Sequence, residues 1–512
     1  MNKHLTKNLF NSRNMKHQYK KQSLCNTAFN IIQKNATKHF KQYQTYLETQ
    51  INTFVSKHQH LLDTLFQTKQ TLLNNNIHQH KNIYSYTVHK YSTPLDESIT
   101  IPPYKEILKY LLAQPHFTSQ FSTNDITNLN NIYSSGNTDT IFDYLETHPI
   151  GNTLGSNFYR YISEFQLETH FPSIKFHNLL INSFTSYKVL QTLETTITNC
   201  LAVSINWNNH TYENAIYIFY NNKTDNPNNK SFLDKIISRM LFLNLVTKTD
   251  KLPKKMILIL TDLEKEIDDN LLAKAHFKTL NINTAVTNGQ DIIIYRKQEL
   301  LKSIFHELIH FHNLDFRTIP SSVSNAFTKF LKDNHYIDEN NEYIYFESVT
   351  EVLTNLLNNI FYSKNITEFK NNYLLETTFS TFQTFKILKI CGFTSWNQFT
   401  RRTKSINQPK KFKQDSCVFS YYVLKLYILL NLDYYFQNIL DSKLKFINSS
   451  QSFEHLIHLF KNSFNNVYLA DVINSLLKIN SNTSTTKKNL KQNLNISARN
   501  KIYRTLRMTC LE

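Results

Sequence analysis

The chain has 512 residues, of which 41% are hydrophobic and 13% aromatic, a composition that excludes a disordered protein and allows two or three domains. Its formal net charge of +18 would ordinarily favour a nucleic-acid or acidic-membrane partner. The basic residues are spread along the chain, however, and no helix-turn-helix, zinc-finger or RNA-binding motif accompanies them. We therefore expect a basic surface without a nucleic-acid partner.

The cysteines and the apolar stretches indicate where in the cell the protein is located. Five cysteines lie far apart and form no C-x-x-C motif, which predicts an intracellular protein without a disulfide framework. The basic N-terminus lacks the apolar segment of a secretory signal. The most apolar stretch, 418–436, is interrupted by Lys425, Asn431 and Asp433. We therefore predict neither secretion nor a membrane span.

For residues 1–93 the sequence predicts a basic arm at 1–22, followed by a long helix or helical hairpin. The helix prediction rests on side chains at alternating spacings of four and three, typical of a helix seam: Leu47, Ile51, Phe54, His58, Leu61, Leu65 and Leu72. Such a seam can pack on the same chain or form an oligomer contact, and both alternatives stay open. Residues 94–200 predict a mixed, loop-rich region to which we assign no function.

Residues 201–362 show the pattern of short strands and amphipathic helices that indicates a mixed sheet. The predicted strands are separated by turn residues: 201–207, 212–220, 256–260, 283–287 and 291–296. The last two flank Asn288-Gly289, a favoured hairpin turn, and a helix begins directly behind them. Residues 363–479 predict a helical C-terminal subdomain, and residues 480–512 a polar tail.

The predicted helix behind this hairpin carries the pattern H-E-x-x-H at His306, Glu307 and His310. Two histidines four positions apart lie on one face of a helix and can hold one zinc ion. Glu307 can then act as the general base on a metal-bound water that attacks a peptide bond. An edge strand beside such a helix commonly holds an extended peptide. We expect the strand ending at Tyr295-Arg296 to serve in this way.

A zinc peptidase needs a third protein ligand, and its identity decides the class. The extended pattern with glycine and histidine after the motif is excluded because the chain has Asn313 and Phe316 there. Glu347 and Glu351 share one face of a later predicted helix. We predict Glu347 as the third ligand and Glu351 as acceptor for the N–H of a ligand histidine. Asp315 stays open as an alternative in either role.

An additional donor should stabilise the oxyanion that forms during hydrolysis. Tyrosine, histidine and arginine commonly fill this role. The candidates lie in the predicted helical subdomain, and for each of them packing in the core is the alternative role: Tyr421, Tyr422, His455 and His458.

The run Asp291–Glu299, the motif at 306–310 and Leu314-Asp315-Phe316 together resemble zinc metallopeptidases of nucleocytoplasmic large DNA viruses, the mimivirus-like giant viruses. In that family a strand ending in Tyr/Phe-Arg-Lys leads into the H-E-x-x-H helix, and a helix with E-x-x-T-E follows, here at 347–351. The resemblance covers residues 280–355 and is weaker around Tyr421. It implies a gluzincin-type zinc site and a viral protein of the host cytoplasm or the virion.

Together these features predict an α+β protein with a zincin-like catalytic core at 201–362, formed by a small mixed sheet, the active-site helix and the glutamate helix. A helical N-terminal region and the helical C-terminal subdomain complete it. The predicted function is a zinc-dependent metallopeptidase that acts on a protein or peptide. Two alternatives stay open: a catalytically inactive structural or virion protein with a zincin fold, and a basic nucleic-acid-binding protein.

Overall fold

The computed structural model describes residues 23–74, 83–92, 199–221, 225–316, 321–338, 343–401, 409–410, 412–478 and 501–511, with isolated positions between 123 and 197. The predicted arm, nearly all of the loop-rich region and residues 479–500 lie outside the described residues. The predicted mixture of helices and strands is confirmed. No described helix is both long and apolar enough to cross a membrane.

The strands of the described residues form one large sheet and one small one. Their bounds are β1 (Tyr84–Ser92), β2 (Asn199–Trp207), β3 (His210–Tyr220), β4 (Lys255–Ile259), β5 (His276–Phe277), β6 (Ala285–Thr287), β7 (Asp291–Ile294) and β8 (Lys413–Gln414). The large sheet has the order β1-β2-β3-β4-β7-β6, and β5 pairs with β8. Strands β1 to β3 are antiparallel, β3, β4 and β7 are parallel, and β6 runs antiparallel to β7.

The sequence of the central strands explains their position. β4 and β7 contain continuous apolar runs, Met256–Ile259 and Ile292–Ile294, and all these side chains are buried. Such runs are typical of parallel strands that are covered on both faces. The β2–β3 hairpin turns at Asn208 and Asn209, whose φ angles of 50° and 62° are left-handed values that asparagine tolerates.

Two strands differ from the predictions. β1 lies within the region predicted as arm and helix, and it joins the sheet by pairing with β2. β7, which leads into Tyr295-Arg296, is hydrogen-bonded to β4 on one side and β6 on the other, and both residues are buried. The prediction that this strand holds the substrate is therefore wrong, because a strand with two neighbours has no free backbone edge. β6 occupies that edge of the sheet.

Among the described residues, three helices precede β1: α1 (Ser23–Asn35), α2 (Thr37–Lys57) and α3 (Gln59–Leu73). Their apolar seam packs within the same chain. Tyr43 forms a 2.7 Å hydrogen bond with Thr381, and the rings of Phe54 and Phe436 lie 4.9 Å apart. Leu47, Ile51 and Phe54 are buried in this way, so of the two alternatives for the seam the structure shows the intramolecular one.

In the described part between 225 and 362 there are six helices: α4 (Lys230–Thr247), α5 (Asp269–Lys274), α6 (Thr279–Ile282), α7 (Leu300–Phe311), α8 (Ser321–Asn334) and α9 (Phe346–Tyr362). Helix α7 carries the H-E-x-x-H motif and is buried at every residue. It packs against α9, α4, β6 and β7. The motif helix is therefore enclosed between the sheet and the helix that carries Glu347.

The described residues after α9 are mainly helical. They contain α10 (Ile366–Ile390), α11 (Trp396–Phe399), a π-helix (Ser420–Leu424), α12 (Lys425–Leu429), α13 (Leu432–Asn438), α14 (Ser450–Phe464) and α15 (Val467–Leu477). Their buried side chains belong to the same continuous hydrophobic core as those of α7 and α9.

Residues 501–511, here called the C-terminal segment, differ from the predicted polar tail. The segment begins with α16 (Lys501–Arg504), and Leu506, Met508 and Leu511 are buried in the core. The structure also pairs Cys25 of α1 with Cys510 in a disulfide whose Cα atoms lie 5.4 Å apart. The prediction of a chain without disulfides is therefore wrong for this pair. Cys200, Cys391 and Cys417 are buried and take no part in this disulfide.

Candidate metal centre

The start of α7 is fixed by a buried glutamate. Glu299 adopts a left-handed φ of 62° directly before the helix. Its carboxylate accepts the backbone N–H groups of Met508 and Thr509 at 2.6 Å each, and it forms a 2.7 Å ion pair with Lys265. Burial opposes ionisation of Glu299, but Lys265 and Lys302 lower its pKa. Glu299 thus connects the start of the motif helix to the C-terminal segment.

The end of α7 turns sharply at Asn313. This residue has a left-handed φ of 50°, and the N–H of Leu314 donates to the carbonyl of Ile309 at 3.0 Å. This is the usual way in which a left-handed residue closes a helix, a position that favours glycine and tolerates asparagine. The turn directs Asp315 back towards the helix, where its Oδ2 accepts a 2.7 Å hydrogen bond from Nδ1 of His310.

His306, His310 and Glu347, here called the metal centre, meet between α7 and α9. The two Nε2 atoms lie 3.2 Å apart, and Oε2 of Glu347 lies 3.3 Å from Nε2 of His306 and 3.6 Å from Nε2 of His310. His306 and His310 are buried, and the side chain of Glu347 is 13% exposed. The structure therefore brings together the three residues that the sequence analysis selected as ligands.

The Nδ1 atoms of both histidines face carboxylates. Nδ1 of His306 lies 2.9 Å from Oε1 of Glu351, and Nδ1 of His310 lies 2.7 Å from Oδ2 of Asp315. A carboxylate at Nδ1 favours the tautomer that carries its proton there and leaves a lone pair on Nε2. Glu351 and Asp315 were predicted as alternatives, but each contacts a different histidine: Glu351 contacts His306, and Asp315 contacts His310.

This arrangement fits a metal ion of the size of zinc. Two neutral histidines in these tautomers would point lone pairs at each other across 3.2 Å, and a cation between them removes that repulsion. Ligand atoms placed tetrahedrally around zinc lie about 3.3–3.4 Å apart, close to the observed separations. Oε2 of Glu347 is also buried and has no hydrogen-bond partner among the described residues.

Charges near the metal centre support the same ligand set. Burial disfavours the ionised carboxylate of Glu347, but His310 and His306 lower its pKa well below the usual range. Burial also opposes protonation of the two histidines, and in the absence of a metal the nearby carboxylates raise their pKa values. The centre therefore attracts positive charge, which either protons or a metal ion can supply.

Two buried lysines surround Glu351. Nζ of Lys302 forms an ion pair with Oε1 of Glu351, and Nζ of Lys425 lies 3.9 Å from Oε2. Burial opposes ionisation of Glu351, but Lys302 and His306 lower its pKa well below the usual range. The sequence analysis did not select either lysine. The sequence did contain a signal for Lys302: it lies one turn before His306 on the same helix face, so its side chain should lie near that histidine.

The general-base candidate lies beside the metal centre. Glu307 is buried, and burial raises its pKa while His306 and His310 lower it, with a net upward shift. A glutamate with a raised pKa is a better proton acceptor than an ordinary surface carboxylate.

Of the four candidate oxyanion donors, Tyr421 lies near the metal centre and the other three have partners elsewhere. The ring centroid of Tyr421 lies 6.0 Å from that of His306. Tyr421 is presented by the π-helix, a distortion that often occurs at functional sites. Tyr422 donates its hydroxyl hydrogen to the carbonyl of Leu506 in the C-terminal segment. The remaining two lie on α14 and have other partners: His455 with Tyr434, and His458 with Asn462.

A second group of potential ligands lies outside the metal centre. Among the described residues, Cys25, Glu376 and Cys510 also bring three ligand atoms within 4.8 Å of one another. The two sulfur atoms of this group are joined in the disulfide.

Comparisons of the chain with protein-family models, with curated proteins and with solved structures find no match. The resemblance to viral metallopeptidases therefore stays a prediction that rests on the motif residues.

Proposed function

We propose that the protein is a zinc-dependent metallopeptidase with a zincin-like core and a gluzincin-type ligand set. The single observation that carries this proposal is the convergence of His306, His310 and Glu347, whose ligand atoms lie 3.2–3.6 Å apart. The two carboxylates at the Nδ1 atoms support it, since they favour the tautomers that bind a metal.

A zinc ion held by these residues would supply Lewis acidity, polarising a peptide carbonyl and lowering the pKa of a water molecule. Glu307 accepts the proton of the attacking water and passes it to the leaving amine. Its raised pKa suits both steps, because the carboxylate must bind the proton and then release it.

Tyr421 is the oxyanion donor in this proposal. Burial, and then the nearby carboxylates of Glu347 and Glu351, raise the pKa of its hydroxyl well above the ordinary value. The phenol therefore keeps its proton at neutral pH and can donate it in a hydrogen bond to negative oxygen.

The edge strand β6 is the substrate strand in this proposal. It contacts α7, and its side chains Ala285, Val286 and Thr287 are only partly buried. Among the described strands it pairs with β7 alone, so its other edge can bind an extended peptide through backbone hydrogen bonds. The substrate class is accordingly an extended segment of a protein or peptide. A viral origin remains the expectation from the resemblance.

The test compares Glu307→Gln with wild type on a mixed peptide library in the presence of zinc. We expect wild type to cleave and the variant to bind zinc with similar affinity while losing about 100-fold or more of its rate. Glu454→Gln, at an exposed glutamate of α14, serves as the matched control and should behave as wild type. If wild type binds zinc and cleaves nothing in the library, the inactive structural protein is the correct alternative.

A further inference from the structure

We propose that the Cys25–Cys510 disulfide is a redox-controlled clamp on the C-terminal segment, and that its oxidation state sets the zinc affinity of the metal centre. The inference rests on the proposed function, since it concerns the regulation of that same centre.

The disulfide joins two parts of the chain that are distant in sequence. Cys25 lies in the first turns of α1 and Cys510 near the end of the C-terminal segment, 485 positions later. Both are buried, and their Cα separation of 5.4 Å is typical of a disulfide. Because α1 packs against α10, the bond holds the segment against the helical core.

The segment supplies backbone acceptors to buried side chains. Its carbonyl groups at Ile502 and Thr505 accept from Nζ of Lys386, and that at Met508 accepts from Nζ of Lys425 at 2.8 Å. Burial lowers the pKa of both lysines. An ammonium group in the protein interior is costly without such partners, so displacement of the segment would force these side chains to rearrange.

One residue of the segment, Met508, connects it to the metal centre. Its N–H donates to Glu299 at 2.6 Å, its carbonyl accepts from Lys425, and its sulfur lies 3.5 Å from Nζ of Lys302. Glu299 fixes the start of α7. The two lysines neutralise Glu351, which lies 2.9 Å from Nδ1 of His306. Each contact of Met508 thus reaches a group that orients the motif helix or its first histidine.

A buried acid lies beside the disulfide. Oε1 of Glu376 accepts the N–H groups of Cys510 and Leu511 at 2.8 and 3.1 Å, and it also binds the hydroxyl of Thr509. Its second oxygen is buried without a hydrogen-bond partner among the described residues. Burial raises the pKa of Glu376, which makes this carboxyl group easier to protonate close to the sulfur atoms.

The chemistry is thiol–disulfide exchange with a dithiol reductant. A thiolate of the reductant attacks one sulfur, the S–S bond breaks, and the departing sulfur takes a proton that Glu376 can supply. The second thiol of the reductant then resolves the mixed disulfide. Two electrons and two protons pass to Cys25 and Cys510, and the reductant becomes a disulfide. Because both cysteines are buried, exchange requires the segment to open, and we expect it to be slow.

The experiment measures zinc affinity by competition with a chromophoric chelator in two preparations of the full chain. One is oxidised, and the other is reduced with dithiothreitol and desalted without oxygen. We expect the reduced protein to bind zinc about 10-fold more weakly, a typical effect of losing support behind a ligand. Hydrogen exchange should show reduced protection in residues 501–511, and reoxidation should restore both properties.

Two variants serve as controls. The double variant Cys25→Ser/Cys510→Ser should match reduced wild type and show no response to dithiothreitol, while Cys391→Ser should respond as wild type does. If the double variant does not fold, the reversible change in wild type still decides the question. The outcomes separate the inference from the proposed function. Equal zinc affinity in both redox states overturns the inference and leaves the proposed function intact. A second zinc bound only by the reduced protein would assign the sulfurs and Glu376 to a metal site and overturn it too. Failure of the oxidised protein to bind zinc removes the proposed function itself, and with it this inference.

Discussion

Oε1 of Glu351 lies 2.9 Å from Nδ1 of His306 and also forms an ion pair with Nζ of Lys302, the residue one turn before that histidine. One carboxylate oxygen therefore orients the imidazole and neutralises a buried ammonium group. The candidate ligand Glu347 lies one turn before Glu351 on α9. One face of this helix therefore supplies both a candidate ligand and the carboxylate that contacts Nδ1 of His306.

Replacement of Glu351 by glutamine should weaken zinc binding and destabilise the fold. We expect zinc affinity to fall about 10- to 100-fold, because the histidine loses its orienting carboxylate. The free energy of unfolding should fall by about 3 kcal/mol or more, because the buried Lys302 loses the carboxylate with which it forms its ion pair. Chelator competition and urea unfolding measure the two effects. Adding Lys302→Met should recover part of the stability but not the zinc affinity, and recovery of both would contradict this account.

Zinc affinity should rise with pH. In the metal-free protein the pKa values of His306 and His310 are raised above the ordinary 6.5, because Glu347, Glu351 and Asp315 outweigh burial. The stability that these protonated histidines contribute is present below pH 6.5 and is lost as pH rises through the raised values. Zinc competes with the same protons, so its affinity should increase over that range, by up to about tenfold per pH unit for each proton displaced. A zinc affinity that is constant from pH 6 to pH 8 would contradict this prediction.

Asn313 should tolerate glycine and not alanine. Its φ of 50° is a left-handed value at which glycine has no steric cost, whereas alanine loses about 1 kcal/mol. Asn313→Gly should therefore keep the wild-type urea midpoint and zinc affinity. Asn313→Ala should lower both, because the turn that directs Asp315 towards His310 is strained. Equal behaviour of the two variants would show that this turn does not position Asp315.

Removal of the Tyr421 hydroxyl should affect turnover and not metal binding. Tyr421→Phe keeps the ring beside His306 and removes only the proposed oxyanion donor. We expect kcat to fall about 100- to 1000-fold with unchanged zinc affinity. Tyr468→Phe, at an exposed tyrosine, is the control and should leave kcat unchanged. A wild-type kcat in Tyr421→Phe would exclude this residue as the donor.

The ligand candidates could be selected from the sequence because helix geometry relates the residues within each helix, and the zinc-peptidase pattern with a glutamate on a later helix relates the two helices. His306 and His310 are four positions apart, as are Glu347 and Glu351, and a spacing of four places two residues on one helix face. The choice between Glu351 and Asp315 could not be made, because it depends on the left-handed turn at Asn313. The structure places one of them beside each histidine.

The supporting groups depend on contacts between distant parts of the chain. Glu299 meets Met508 across 209 positions, and Cys25 meets Cys510 across 485. Contacts between such distant residues cannot be predicted from local sequence patterns. For this reason the sequence predicts a polar tail where the structure has the C-terminal segment. The edge strand was wrongly predicted for a similar reason, since which strand lies at the edge is decided by non-local strand order. The unbroken apolar run of β7 was the signal for an internal strand.

The most direct measurement is the zinc content of the purified protein, by mass spectrometry of the metal, for wild type and for His306→Ala/His310→Ala. We expect one zinc ion per chain in wild type and none in the variant, with the variant still folded by circular dichroism. Zinc that remains in the folded variant, or a folded wild type that binds none when zinc is supplied, would contradict this expectation.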